Sequence, residues 1–148
     1  MHPFDLKQAL LAKHAQHVVI IHFPIALFVV GVAFDLAAHF SARTILRSVA
    51  YYNFVVAAVS APLAVATGIL AWQLQLNGQR LHGIILMHLL LGSASAALIL
   101  FTWFIHRSAL QRQTPLPHYR FPVEVLAVGV VALTAHLGGF LSGVNVVV

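Results

Sequence analysis

The residues in this chain that could do chemistry are its histidines. There are ten of them, against three acids and no cysteine. His17 and His22 stand at the mouth of an apolar run, His17-Val18-Val19-Ile20-Ile21-His22-Phe23-Pro24-Ile25-Ala26-Leu27, and three later apolar runs carry His82 and His88, His106, and His136. Imidazole ligates metals and carries protons, and a polar side chain held in hydrocarbon is costly enough to mark a functional position. The lack of cysteine excludes disulfides, iron–sulfur clusters, thiolate metal sites and covalent haem attachment. The only acids are Asp5, Asp35 and Glu124, too few to suggest carboxylate-bridged metals or paired-carboxylate catalysis. No His-Glu-x-x-His, Gly-x-Ser-x-Gly or phosphate-binding glycine loop occurs. Histidine-rich ligation is the metal chemistry that this inventory leaves.

The elements that must position these imidazoles are membrane spans. The chain is 61% hydrophobic and 7% charged, with a mean hydropathy of +0.94, where soluble domains carry about 25% charged residues. Its 148 residues accommodate four spans of about 20 residues with short connections. Apolar runs place these at 18–40, 48–72, 82–106 and 122–142, giving an all-α, integral membrane four-helix up-down bundle over residues 17–148. Residues 1–16 lack the apolar core and cleavage site of a signal peptide and suit a short interfacial segment. Pro24 falls near the start of the first span, where a proline is tolerated, and Pro62 within the second, where it frees a carbonyl. The net charge of +5 reads as topology, not nucleic-acid binding. Arg43, Arg47, Arg107, Arg112 and Arg120 lie on one side, and Lys7, Lys13 and Arg80 on the other. The positive-inside rule therefore puts both termini outside the cytoplasm.

With that topology His22, His88 and His136 fall at one depth near the outer face, with His17 and His82 shallower. On span three His88, Gly92, Ser95, Ile99, Thr102 and His106 share a small and polar stripe. Span four has Gly129, Ala132, His136, Gly139 and Gly143, and span two Ala57, Ala61, Ala64, Gly68 and Ala71. Such stripes let helices approach closely and leave room for a flat macrocycle. His22 and His88 are the first choice for axial ligands, each with a small residue four positions on, Ala26 and Gly92. His136 with Gly139 is a reserve position, and His17 and His82 suit a second, shallower haem or its propionates. Asp35 and His39 read as an interfacial pair reaching water. Trp72, Gln73 and Gln75 read as an interfacial anchor, with a quinone headgroup as the lesser use.

The string His17-x4-His22-Phe23-Pro24-Ile25-Ala26-Leu27, followed by Asp35-Leu36, Ala66-Thr67-Gly68, His88 and Gly138-Gly139-Phe140-Leu141, resembles a bacterial family of small four-helix membrane proteins catalogued as a domain of unknown function. The resemblance implies a four-helix fold and association with respiratory or cytochrome-encoding contexts. The resulting expectation is a bacterial inner-membrane, b-type haem electron-transfer subunit rather than a complete enzyme. It would exchange electrons between quinone and an extracytoplasmic carrier, inside an assembly with other membrane or cytochrome subunits. A cofactor-free scaffold and a small proton channel are the alternatives. The topology has its own test. A phosphatase reporter fused after Val148, active only outside the cytoplasm, should give full activity; full signal from a cytoplasm-only reporter at that position would reverse the orientation.

Overall fold

The chain turns at residues that do not continue a helix, Asn77 and Gly78 after one span and the stretch from Pro115 to Pro117 after another. The computed structural model describes residues 15–41, 43–75, 77–78 and 80–143. They form α1 (Ala15–Ser41), α2 (Thr44–Gln75), α3 (Gly83–Arg112) and α4 (Arg120–Leu141). Asn77 and Gly78 turn the α2–α3 connection with positive φ angles of 50° and 62°, a region that Gly enters without steric cost and Asn more readily than most. α3 ends at Gln113, also left-handed, whose neighbour Thr114 donates its N–H back to the Ala109 carbonyl at 3.0 Å. This is the bonding of a Schellman cap, and Pro115 then forbids further helix. The expected segment at 1–16 lies outside the described residues except for its last two, which begin α1.

All four helices are long and apolar enough to cross a membrane, and no strand occurs among the described residues. The protein is an all-α multi-pass membrane protein, with lipid as the solvent for its exposed Phe23, Phe40, Leu63, Leu90 and Phe104. The helices extend beyond the runs read from hydropathy, because polar ends such as Gln73 and Arg112 continue a helix as readily as leucine does. One consequence is a correction. Pro24 lies well inside α1, not in its first turn, because the helix begins at Ala15. It withholds the hydrogen bond that the Ile20 carbonyl would receive. α2 is helical throughout across Pro62.

The bundle is up-down. α1 packs most extensively on α2, α3 on α4 and α2 on α3, while the seam between α1 and α4 is narrow. Its centre combines two aromatics with small side chains. Phe28 and Phe54, with ring centres 5.7 Å apart, are surrounded by Ala50, Ala57, Ala58, Ala61, Ile99, Ala127 and Val131. The alanine stripe expected on α2 thus faces inward, as does the α3 stripe from Ser95 to His106. The α4 stripe does not: Gly129, Ala132, His136 and Gly143 are exposed.

Gly31 on α1 exists to admit Phe54. A Cβ there would stand 2.8 Å from Phe54 Cε1 and 3.3 Å from Asn53 Cβ, whereas a Cβ at Gly129 meets nothing within 4 Å. Gly31→Ala should therefore destabilise the bundle by about 1–3 kcal/mol through overpacking. Gly129→Ala should be neutral, or gain up to about 1 kcal/mol from helix propensity. Thermal unfolding of both variants in one detergent checks the contrast.

Candidate functional site: two polar layers

Helix register, not local sequence, assembles the polar residues. His17 and Asp35 on α1 are 18 residues apart, as are His88 and His106 on α3 and Arg120 and Gly138 on α4. At 3.6 residues per turn this is five full turns, so each pair shares a helix face, about 27 Å apart along the axis. Both members of each pair consequently face the bundle interior. They fall into a terminal-end layer, beside the start of α1 and the end of α4, and an arginine-end layer beside Arg43, Arg47, Arg107 and Arg112.

In the terminal-end layer the rings of His17 and His88 face each other from α1 and α3, with centres 6.5 Å apart and planes at 86°. Each ring is fixed by a neighbouring helix. His88 Nδ1 lies 3.1 Å from the Thr134 carbonyl of α4. A carbonyl can only accept, so Nδ1 carries the hydrogen and Nε2 of the neutral ring presents the lone pair. His17 Nδ1 lies 3.2 Å from Thr67 Oγ1 on α2, whose own proton is shared between the Leu63 and Ala64 carbonyls. His17 Nδ1–H is again the donor. Thr134 Oγ1 donates to the Val130 carbonyl and accepts from Ser95 Oγ at 3.0 Å, tying α3 to α4 beneath the ring. Glycines make the room: a Cβ at Gly68 would lie 3.0 Å from His17 Cε1, and one at Gly138 3.1 Å from His88 Cε1.

The arrangement differs from the expected pairing. The imidazole facing His88 belongs to His17, not to His22. Five residues turn the helix by about 140°, so His17 and His22 cannot share a face. His22 is exposed, and its Nδ1–H donates to the Val18 carbonyl of its own helix at 2.6 Å. His136 is exposed against Phe140, and His82 is the exposed N-cap residue of α3. Gly92 packs toward Thr134 rather than beside an imidazole, and Gly139 is half-buried near the end of α4.

The arginine-end layer holds the charges. Arg120 Nε donates to Asp35 Oδ2 at 2.7 Å, with the two residues 6% and 1% exposed. Beside them His106 Nε2–H donates to Glu124 Oε1 at 3.0 Å, and Phe54 covers the His106 ring at 4.7 Å between centres. All four helices contribute. One ligand-type atom each from Asp35, His106 and Glu124 lies within 4.8 Å of the others. Buried charge in a low dielectric survives only when paired, and here the pairs lie across the helix seams. Asp35 is thus not an interfacial partner of His39. It is enclosed, and the exposed His39 rests on Phe40 and Phe121 instead.

Residues 13–147 match the family model described as "Predicted membrane protein (DUF2231)". The chain belongs to this family. No curated protein and no solved structure matches it. This DUF2231 protein therefore has its fold and membrane character from its own helices and its family, and any chemistry must be read from the two layers. Glu124, Arg120 and Thr134 are site residues that sequence reasoning did not select. Arg120 reads as a loop cation by its position, although the spacing of 18 from Gly138 and the acid four residues on are signals to the contrary. With Arg120 enclosed, four exposed arginines remain at that end.

Removing one member of the Asp35–Arg120 pair leaves the other charge uncompensated. Asp35→Leu or Arg120→Leu alone should cost about 3–5 kcal/mol, and the double variant should regain most of that loss. Thermal unfolding of the two single variants and the double in detergent measures the coupling; additive losses would show that the pair does not act as a unit.

Proposed function

We propose that this protein is a membrane-embedded electron-transfer subunit in which His17 and His88 ligate a non-covalent b-type haem near the extracytoplasmic face of a bacterial inner membrane. The observation that carries the reading is the pair of opposed imidazoles on α1 and α3, each with its Nδ1–H held by a flanking helix. Ligating histidines characteristically donate their other N–H to a carbonyl or similar acceptor, which fixes the tautomer and strengthens the ligand. The distance also fits. With metal–nitrogen bonds of about 2 Å, an ion held between two imidazoles sets the ring centres about 6 Å apart, against 6.5 Å here. The donor set is two neutral imidazoles without charge compensation, suited to iron in a macrocycle. Haem b, when bound, supplies a one-electron couple.

The chain's own residues do the rest. Thr67 and Thr134 orient the two rings, Gly68 and Gly138 let them approach, and the aromatic centre at Phe28 and Phe54 keeps water from crossing beneath them. The exposed small residues of α4, Gly129, Ala132 and Gly143, offer a close-packing face for another membrane or cytochrome subunit. Such an assembly would contain the quinone and extracytoplasmic partners that connections this short give no room for.

The test is spectroscopic. Protein purified in mild detergent from haem-replete cells should show a reduced low-spin b-type spectrum. His88→Ala and His17→Ala should each abolish it while membrane insertion persists, and His22→Ala should leave it unchanged. An unchanged spectrum in both His17→Ala and His88→Ala, or absence of haem from the native protein, overturns the proposal.

A further inference from the structure

The arginine-end layer is more than a pair of salt bridges, because its bonding is incomplete. Glu124 is 1% exposed, and its Oε2 has no hydrogen-bond partner among the described residues. Thr102, 0% exposed and one turn before His106 on the same face of α3, likewise has an unpartnered Oγ1. A buried carboxylate oxygen without a donor costs the full desolvation of that atom, so something that compensates charge belongs beside it. Asp35 and Glu124 bring two negative charges against the single guanidinium of Arg120. With His106 neutral, the layer carries one net negative charge, the sign that attracts a cation. Asp35, His106 and Glu124 come from α1, α3 and α4, and their ligand atoms already lie within 4.8 Å of one another.

We propose that Asp35, His106 and Glu124 form a binding site for one first-row divalent transition-metal ion at the arginine end of the bundle, with the Thr102 hydroxyl as an adjoining donor. One imidazole with two carboxylates is a mixed nitrogen and oxygen set, which suits Mn, Fe(II), Co or Zn rather than a purely oxygen-preferring ion. On binding, the ion takes the place of the hydrogen that His106 Nε2 points at Glu124, and that hydrogen moves to Nδ1 as the neutral imidazole changes tautomer. Arg120 remains on Asp35 Oδ2 and orients that carboxylate, as outer partners of metal ligands do. The site is separate from the His17 and His88 pair, about 27 Å away along the helices, and does not depend on haem being bound there.

Cobalt(II) gives the direct readout, since its visible d–d absorption appears on coordination. The full chain in detergent, stripped with chelator and titrated with Co(II), should bind one equivalent per chain. Glu124→Gln and His106→Gln, near-isosteric changes, should each weaken binding by about 10-fold or more, with helix content unchanged by circular dichroism; His88→Ala should bind as the native chain does. Absence of saturable uptake by the native chain overturns the proposal whatever the variants do. So does unaltered affinity in whichever of the two glutamine variants remain folded, and so does loss of binding in His88→Ala alone, which would put the ion at the opposite end. Uptake that fails while the haem spectrum is intact removes this site only, and the converse result removes only the haem assignment.

Discussion

The Asp35–Arg120 ion pair is the interaction on which the closed bundle depends. α1 and α4 share the narrowest contact of any neighbouring helices, and in lipid no hydrophobic driving force pushes them together, because hydrocarbon solvates leucine as well as another helix does. What brings them together is a charge that neither helix can leave unpaired. Asp35 lies four helix positions before His39 and about 9 Å from the end of α1 at 1.5 Å per residue, too deep to reach water freely. Arg120, the first residue of α4, reaches inward to meet it and also lies over the Phe121 ring at 3.9 Å. The pair fixes the rotation of α4, and that rotation places Glu124 against His106 and, five turns from Arg120, Gly138 against His88.

This rotation explains how one helix register serves both layers. An interior face repeated after 18 residues puts polar groups about 27 Å apart, close to the thickness of a bilayer's hydrocarbon core, about 30 Å. Each layer therefore sits near a boundary where polar groups are least costly, and the span between them is filled by Phe28, Phe54, alanines and branched aliphatics. The terminal-end layer has neutral imidazoles bonded to backbone and hydroxyl oxygens, whereas the arginine-end layer has formal charges. Of the two, the first would suit a ligand that carries its own charge balance, as a porphyrin-bound iron does, and the second a bare cation.

Much of this was legible from the sequence, and the failures over which helix faces point inward share one cause. Composition and run length give four spans, and the inward stripes of α2 and α3 follow from small residues at helical spacing. Depth follows only to about a turn and a half: counting residues from the run boundaries puts His88 level with His22, whereas it meets His17, five residues earlier on α1. Azimuth does not follow. In a soluble helix the apolar stripe identifies the inner face, but here every face is apolar, so His17 and His22 are equivalent by hydropathy though about 140° apart on the helix. Depth and a small residue four positions on, Ala26 and Gly92, favour His22 as the partner of His88, and neither fixes the direction in which a side chain points. The α4 stripe misled for the same reason, since small residues mark a close approach without saying whether the approaching helix belongs to this chain. Arg120 was hidden by its place at a helix start, where a cation ordinarily reads as a topological signal and not as half of an enclosed pair.

Neither layer exists on any one helix or on any adjacent pair. The opposed imidazoles come from α1 and α3, but their orientation comes from Thr67 on α2 and Thr134 on α4. Asp35, Phe54, His106 and Glu124 likewise draw on all four helices. A ligand at either layer can bind only the assembled bundle, so by mass action it stabilises that state over any with helices separated. The glycines at 68 and 138 weaken their helices by the loss of a side chain, and the buried charges oppose insertion of α1 and α4. These costs are spread over positions that meet only in the finished fold, the expected distribution when they are retained for the sites and not for the stability of individual spans.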